Sequence, residues 1–199
     1  EGATELICSS LANYDIIPDE GFDATGREFG DYAPYKQSAR KEIYQTYIKK
    51  MLETGLAYPC FATPEELEKI RHEQEVSGAR PGYYGRWAKY RDYPIEKVEE
   101  KLASGTPFVI RFKSNGSYNN KVVIQDGLKG KINFPENDLD IVIMKSDGLP
   151  TYHFAHVIDD YLMGTTHVIR GDEWLSSLPL HIQMFKAMGF KVPKYTHIA

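Results

Sequence analysis

Residues 149–181 read LPTYHFAHVIDDYLMGTTHVIRGDEWLSSLPLH. Residues 152–160 have helical spacing, residues 167–169 are an apolar strand, and residues 174–188 return to helical spacing. This order of helix, strand and helix predicts a parallel sheet in an α/β fold. Ligand sites in open α/β sheets lie at the carboxyl ends of strands, beside helix N-termini. We therefore expect an anion site where this strand ends.

Arg170 is the strongest single candidate for that site. Its planar guanidinium holds a carboxylate through two parallel hydrogen bonds, a geometry that lysine does not reproduce. Tyr152, on the preceding helix, would add a hydroxyl to the same ligand. Two alternatives stay open: Arg170 forms a structural ion pair with a nearby acid, and Asp172 caps the following helix while Trp174 belongs to the core.

Other catalytic patterns are weaker. His153 and His156 lie one helical turn apart before Asp159 and Asp160, but they lack the spacing and third ligand of a zinc motif. Satisfied or substrate-facing histidines are the favoured interpretation. The sequence contains neither a Gly-x-Ser-x-Gly motif nor a Gly-x-x-x-x-Gly-Lys phosphate loop. Catalysis would therefore depend on positioning and electrostatics, which points to ATP chemistry on a carboxylate.

The middle of the chain changes character. After a helix over residues 36–54, the segment Thr63-Pro-Glu-Glu66 is a capping box that predicts a helix up to about residue 77. A short helix over residues 94–104 and strands over 108–113, 121–125 and 140–144 follow. Residues 56–139 therefore read as a module inserted between the segments 1–55 and 140–199, which form the two parts of one larger domain.

Composition narrows the classes of function. The chain of 199 residues is 42% hydrophobic, contains two cysteines and carries a net charge of −4. No apolar run is long enough for a membrane helix, so we expect a cytoplasmic protein with reduced thiols. Residues 79–131 contain eleven Lys and Arg against five Asp and Glu, a net charge of +6. This local basic surface suits a nucleic acid backbone, although a solvated face is the simpler interpretation.

Several ordered blocks carry a resemblance to a known family. They are Pro18-Asp-Glu-Gly21, Tyr35-Lys-Gln-Ser-Ala-Arg40, Gly55-Leu-Ala-Tyr-Pro-Cys60, Asp147-Gly-Leu-Pro-Thr-Tyr-His-Phe154, Asp159-Asp-Tyr-Leu-Met163 and Thr166-His-Val-Ile-Arg-Gly-Asp-Glu-Trp174. Across nearly its whole length the chain resembles bacterial glutamyl-tRNA synthetases, which are class I aminoacyl-tRNA synthetases. The resemblance implies a Rossmann-type catalytic domain, interrupted by a connective insertion that binds the tRNA acceptor stem.

The resemblance also implies ligands and site residues. The family activates L-glutamate with ATP and Mg²⁺ to an adenylate, then transfers it to the 3′ end of tRNA(Glu). By similarity, glutamate contacts would come from Tyr152, Arg170 and His156, ATP contacts from Gly171, Glu173 and Trp174, and tRNA contacts from Arg80, Arg86, Lys89, Arg91 and Ser176. Gln37, Ser38 and Arg40 match a family motif whose role is either structural or binding. The resemblance implies a monomer.

Departures from the family pattern lead to further expectations. The HIGH and KMSKS signatures and the anticodon-binding domain do not occur in these residues, so the chain resembles an internal fragment that does not form the adenylate alone. Phe61 and Ala62 follow Cys60, and Trp87 stands where a ligand cysteine occurs in zinc-binding members. We therefore expect no zinc. Two alternatives are a tRNA-modifying paralogue of the glutamyl-queuosine type and a module that only binds acceptor-stem RNA through the aromatic, basic loop at residues 80–91.

Overall fold

The computed structural model describes residues 2–199, which form two units, residues 2–43 and residues 44–199. The first unit contains helix α1 (Ala3–Ala12), a short hairpin of β1 (Gly21–Phe22) and β2 (Glu28–Phe29), and a 3-10 helix at Gln37–Arg40. In this 3-10 helix, Arg40 donates from Nη1 to the carbonyl oxygen of Pro34 (2.8 Å) and to that of Tyr32 (3.2 Å). These bonds give Arg40 a structural role within its unit.

Helix α2 (Lys41–Glu53) runs from the first unit into the second. Helical spacing in the sequence predicts a buried stripe of Ile43, Tyr47 and Met51. The buried residues are instead Tyr44, Ile48 and Met51, so two of the three positions are shifted by one residue. The Tyr44 hydroxyl explains part of that shift, because it donates to Asp159 Oδ2 at 2.6 Å. An amphipathic helix with an aromatic residue at each of positions 44 and 47 does not reveal its buried face from spacing alone.

An antiparallel sheet follows, with strand order β3 (Ala57–Cys60), β4 (Val109–Phe112) and β7 (Val142–Met144). Helices α3 (Pro64–Val76) and α4 (Ile95–Ala103) lie between β3 and β4 in the chain. The capping box is present as predicted, because Thr63 accepts from the Glu66 amide and the Glu66 carboxylate accepts from the Thr63 amide. Around this sheet packs a core cluster that includes Tyr58, Cys60, Phe61, Tyr83 and Tyr90.

A second, four-stranded sheet has the order β6 (Gly130–Pro135), β5 (Lys121–Asp126), β9 (Lys194–Ile198) and β8 (His167–Gly171). β9 pairs in parallel with β5 and β8, whereas β5 and β6 form an antiparallel hairpin. Helix α5 (Tyr152–Leu162) precedes β8, and α6 (Leu178–Ala187) joins β8 to β9. Leu178, Ile124 and Tyr195 form the core beneath α6. The predicted α/β class with a parallel β8–β9 pair is confirmed.

The helix predicted from Trp174 begins later than its spacing indicates. A 3-10 helix occupies Asp172–Ser177, and the α-helix begins at Leu178 with Pro179 in its first turn. Proline has no N–H to donate to the carbonyl four residues earlier, so an α-helix running through it from residue 174 would lose that bond. Asp172 and Glu173 are the acidic residues in the first turn of this 3-10 helix, whose N-cap is Gly171, and Ser177 is the N-cap of α6.

The sheet also bears on the predicted three-part division. Strands β5 and β6 come from the segment predicted as an insertion, yet they share a sheet with β8 and β9. The boundaries at residues 55 and 139 stay a prediction. Among residues 2–199, no helix combines the length and apolar character needed to cross a membrane.

Candidate functional site

Arg170 lies on β8 directly opposite His197 of β9. Its Nε donates to His197 Nε2 (2.9 Å), its Nη1 to His181 Nδ1 (3.1 Å) and its Nη2 to the Trp174 carbonyl oxygen (3.3 Å). The neighbouring Ile169 points to the other face of the sheet and is 70% exposed, as strand alternation requires. Within the described residues no carboxylate forms an ion pair with Arg170, which removes the support for the ion-pair alternative.

The side chains around Arg170 form a buried polar chain. His197 is fully buried and its Nδ1 lies 2.7 Å from Oδ2 of Asp126, which is also fully buried. On the other side, His181 Nε2 lies 2.9 Å from His153 Nδ1. Burial opposes the charged form of Asp126, but the Lys129 amide, the His197 ring and the Leu128 amide outweigh it and lower the Asp126 pKa to about 2.

Burial has the opposite consequence for the histidines. Desolvation, with the charges of His156 and Arg170 adding to it, lowers the pKa of His181 to about 2. Desolvation and the Arg170 charge lower the pKa of His153 as well. His181 is therefore neutral at physiological pH. A neutral imidazole offers one acceptor nitrogen and one donor N–H, so it can accept from Arg170 without adding charge.

Tyr152 and His156 form a wall beside Arg170. The Tyr152 ring lies 4.1 Å from the Trp174 ring and stacks parallel to His156 at 5.7 Å. Tyr152 is 42% exposed, so a ligand reaches it from solvent. His156 Nε2 lies 3.0 Å from the Tyr195 hydroxyl, and burial together with the Arg170 charge lowers the His156 pKa to about 3. His156 therefore presents a neutral ring to this wall.

Asp160 lies behind His156. Its Oδ2 is 3.0 Å from His156 Nδ1, but the pair lacks hydrogen-bond geometry, and this buried oxygen has no hydrogen-bond partner among the described residues. Desolvation raises the Asp160 pKa to about 6. Burial removes the water that would stabilise the charged form, and the Thr165 hydrogen bond and the Arg170 charge offset this loss only in part.

The residues after β8 turn sharply over Gly171. A Cβ atom at position 171 would collide with the Glu173 carboxylate, which folds back over the glycine. Glycine therefore permits this close approach at an ordinary negative φ of −69°. Asp172 is tied to Lys129 Nζ at 2.8 Å. Glu173 and Ser176 are exposed, and Trp174 is partly buried against Tyr152.

Three of the four basic side chains in the loop at residues 80–91 are paired with acidic side chains. Arg80 is paired with Asp138 (2.6 Å), Lys89 with Glu66 (2.7 Å), and Arg91 with the buried Asp140. Arg91 Nη2 also donates to the Ser114 carbonyl oxygen at 2.6 Å. Arg86 differs, because it is exposed, lies over the Trp87 ring at 4.5 Å and has no ion pair within the described part of the chain.

The candidate metal ligands are Cys60, His153 and His156, and each of them contacts another side chain. The Cys60 thiol is buried and donates to the Tyr83 hydroxyl at 3.5 Å. Across residues 2–199, no group of three or more His, Cys, Asp or Glu side chains is arranged to hold a metal ion. His153 and His156 instead contact His181 and Tyr195. The expectation that the chain binds no zinc stays a prediction.

The structure brings the three predicted glutamate residues near one another and adds three residues that sequence reasoning missed. The Tyr152 ring contacts the rings of His156 and Trp174, and the Arg170 charge acts on His156. The additions are His181, His197 and Asp126. The sequence signal for β9 is the period of two in residues 194–198. In the structure Tyr195 and His197 are buried and their neighbours less so, which is the inward direction that this period indicates for His197.

Comparisons with known proteins agree on one family. The model for the catalytic domain of class I tRNA synthetases (E and Q) matches residues 1–199. Glutamate-tRNA ligases from Sorangium cellulosum and Clostridium perfringens strain 13 are 51% and 52% identical to this chain and match 99% and 100% of it. The chain spans only 37% and 36% of their lengths.

Solved structures give the same result. The crystal structure of a glutamate tRNA ligase from Elizabethkingia meningosepticum, in complex with its amino acid, has a TM-score of 0.84 and 41% identity. The match covers 99% of this chain and 39% of that one. The synthetase from Elizabethkingia anophelis has a TM-score of 0.83 and 40% identity. With the family model matching throughout, this chain belongs to the catalytic-domain family of the class I tRNA synthetases for glutamate and glutamine.

Proposed function

We propose that this chain supplies the amino acid pocket of a glutamate-tRNA ligase. The reaction joins the α-carboxylate of L-glutamate to the α-phosphate of ATP and releases pyrophosphate. The glutamyl group is then transferred to the 3′ end of tRNA(Glu). The names of the most similar relatives support this activity, and a related crystal structure holds its amino acid. The proposal places the protein in the cytoplasm as a monomer.

One observation carries the choice of glutamate: Arg170 is a partly buried cation with no carboxylate partner among the described residues. A guanidinium has five N–H donors, and three of them are used by His197, His181 and the Trp174 carbonyl. One donor on Nη1 and one on Nη2 remain. One N–H of Nη1 and one of Nη2 can together make two parallel hydrogen bonds to one carboxylate. The side-chain carboxylate of glutamate satisfies both, whereas the amide of glutamine offers only one acceptor.

Tyr152 and His156 complete this side of the proposed pocket. The exposed Tyr152 ring lies between Trp174 and His156, so its hydroxyl is available to the amino acid. His156 is neutral and its side chain is largely buried, which keeps the wall beside Arg170 free of a second positive charge. A neutral wall leaves Arg170 as the group that selects an anionic side chain.

Gly171, Glu173 and Trp174 are proposed to face ATP. A Cβ atom at Gly171 would meet the Glu173 carboxylate, which would have to move aside. Mg²⁺ commonly binds through substrate phosphates and water with few protein ligands, so it would arrive with ATP. Gly171, Glu173 and Trp174 would therefore contact the nucleotide, and Mg²⁺ would bind its phosphates.

Binding to the acceptor stem is a second function, favoured by Arg86. This side chain is exposed, carries no ion pair within residues 2–199 and lies over Trp87. Arg80, Lys89, Arg91 and Ser176 remain proposed contacts, but the three basic side chains among them would first exchange their present acidic partners for phosphate. We expect Arg86→Ala to weaken binding of an acceptor-stem RNA more than the control Arg71→Ala, measured at fixed salt concentration.

Calorimetric titration of the purified chain with glutamate and with glutamine tests the main proposal. Wild type is expected to prefer glutamate, and Arg170→Ala to weaken glutamate binding by about tenfold or more, because it removes charge-assisted hydrogen bonds. Arg71→Ala removes an exposed arginine of α3 and is the matched control. A preference for glutamine, or equal binding by Arg170→Ala and wild type, would contradict the role of Arg170.

A further inference from the structure

Five side chains from five different elements form one continuous polar chain through the second unit. In order they are Asp126 on β5, His197 on β9, Arg170 on β8, His181 on α6 and His153 on α5. The four distances between neighbouring donor and acceptor atoms are 2.7, 2.9, 3.1 and 2.9 Å. Asp126, His181 and His197 have no exposed surface.

The direction of every proton in this chain follows from Arg170. A guanidinium only donates, so His197 Nε2 and His181 Nδ1 must both be bare acceptor nitrogens. The single proton of neutral His197 is then on Nδ1, where it is donated to Asp126 Oδ2. The single proton of neutral His181 is on Nε2, where it is donated to His153 Nδ1. Each ring of this pair uses both of its nitrogens.

We propose that His197 and His181 are positioning residues, which hold Arg170 through neutral acceptors so that its charge stays available to the substrate carboxylate. Asp126 fixes the tautomer of His197. This inference rests on the proposed function and deepens it, because it explains how an arginine is immobilised without an ion pair. A carboxylate in place of either imidazole would hold the guanidinium equally well, but it would compete with the substrate for the positive charge.

Asp126 is the single acid among the five side chains of this polar chain, and its location supports these separate roles. Asp126 is separated from Arg170 by the His197 ring, and its negative charge is already stabilised by the amides of Leu128, Lys129 and His197. An acid at this position orients the ring and is not itself the partner of Arg170. Burial also keeps His181 uncharged, since its pKa is lowered to about 2.

Two substitutions at position 197 separate the two bonds of the ring. The side-chain amide of asparagine reaches the position of Nδ1, so His197→Asn keeps a donor for Asp126 and loses the acceptor for Arg170. Glutamine is one carbon longer and reaches the position of Nε2, so His197→Gln keeps an acceptor for Arg170 and loses the donor. His167→Asn is the matched control, because His167 lies on the exposed face of β8.

Glutamate titration of the four proteins gives the first readout. We expect His197→Asn to weaken glutamate binding about tenfold or more, His197→Gln to bind several-fold more tightly than His197→Asn, and His167→Asn to match wild type. Equal binding by His197→Asn and wild type would overturn the inference. A wild-type chain without glutamate preference would instead overturn the proposed function.

Nitrogen NMR of wild type gives the second readout and does not depend on any variant folding. Its spectrum is expected to show His197 protonated at Nδ1 and bare at Nε2, with the reverse assignment for His181. A proton on His197 Nε2, or a doubly protonated His181 at neutral pH, would overturn the inference even if glutamate binds as proposed.

Discussion

Replacing Asp126 with asparagine perturbs the site without touching its surface. Asp126 Oδ1 accepts from the amides of Leu128 and Lys129, both at 2.9 Å, and Oδ2 accepts from the amide of His197 at 3.1 Å and its Nδ1 at 2.7 Å. Asparagine puts an NH₂ group where one of these oxygens stands, so in either orientation a donor faces two donors. Losing two hydrogen bonds to a buried charged acceptor costs about 3–5 kcal/mol.

The same substitution changes the tautomer of His197. When the amide introduced by Asp126→Asn donates to Nδ1, the ring proton moves to Nε2, where it points at the Arg170 Nε–H. Arg170 then loses its acceptor, so we expect glutamate binding to weaken together with stability. A wrong tautomer in a carboxylate–histidine pair disables a site although its shape is kept.

Urea unfolding followed by the fluorescence of Trp87 and Trp174 measures the loss of stability. Asp126→Asn is expected to shift the midpoint strongly, because the cost is a large part of the 5–15 kcal/mol typical of a domain. Asp92→Asn is the control: this acid pairs with Lys113 at 2.7 Å but its side chain is 77% exposed, so we expect a change below about 1 kcal/mol. An Asp126→Asn protein whose free energy of unfolding lies within about 1 kcal/mol of wild type would show that these hydrogen bonds do not stabilise the fold as described.

Three further predictions concern stability. The folded pKa values of His156 and His181 are about 3 and 2, so below pH 6.5 these residues bind protons more readily in the unfolded chain, which favours unfolding. Asp160, with a folded pKa of about 6, binds its proton more readily in the folded chain and opposes this effect. Together these three groups should raise the unfolding constant about tenfold per pH unit from 6 to 4, and the lowered pKa values of His153 and Asp126 act in the same direction. Flat urea midpoints over this range would contradict the assignments. Gly116→Ala should lower the free energy of unfolding by about 1–3 kcal/mol in urea melts, because the new Cβ meets the backbone carbonyl oxygen of Asn137. Gly171→Ala should lower it by less, because the new Cβ meets only the end of the flexible Glu173 side chain. The reverse order would count against these contacts. Thr63→Ala should cost about 1 kcal/mol by loss of the capping box, and an unchanged melting temperature would argue against it.

Local signals in the sequence predicted the elements that depend on neighbours in the chain. The helix that begins at Pro64 follows from Thr63 and Glu66, three residues apart, and its hydrogen bonds are the ones this spacing requires. The position of Arg170 near a strand end follows from the apolar residues before it. Both features are set within a few residues, so a single sequence contains the information.

The partners of Arg170 depend on pairing between distant strands. His197 is 27 residues away in the chain and meets Arg170 only because β8 and β9 pair in parallel in one particular register. Asp126 is 71 residues from His197 and joins through β5. A histidine within an apolar helix, such as His181, reads as a core residue until the strand beneath it is known. The residues of one strand can indicate which of its faces is buried, but they do not identify a partner strand that is distant in the chain.

A crystal structure of this chain with bound L-glutamate would show whether Arg170 holds the side-chain carboxylate. The distances to measure join the two side-chain carboxylate oxygens of glutamate to Nη1 and Nη2 of Arg170. We predict both at about 2.7–2.9 Å, with the bonds from Arg170 to His197 and His181 intact. A glutamate side chain that points away from Arg170, or an Arg170 that leaves both histidines to reach it, would contradict the account.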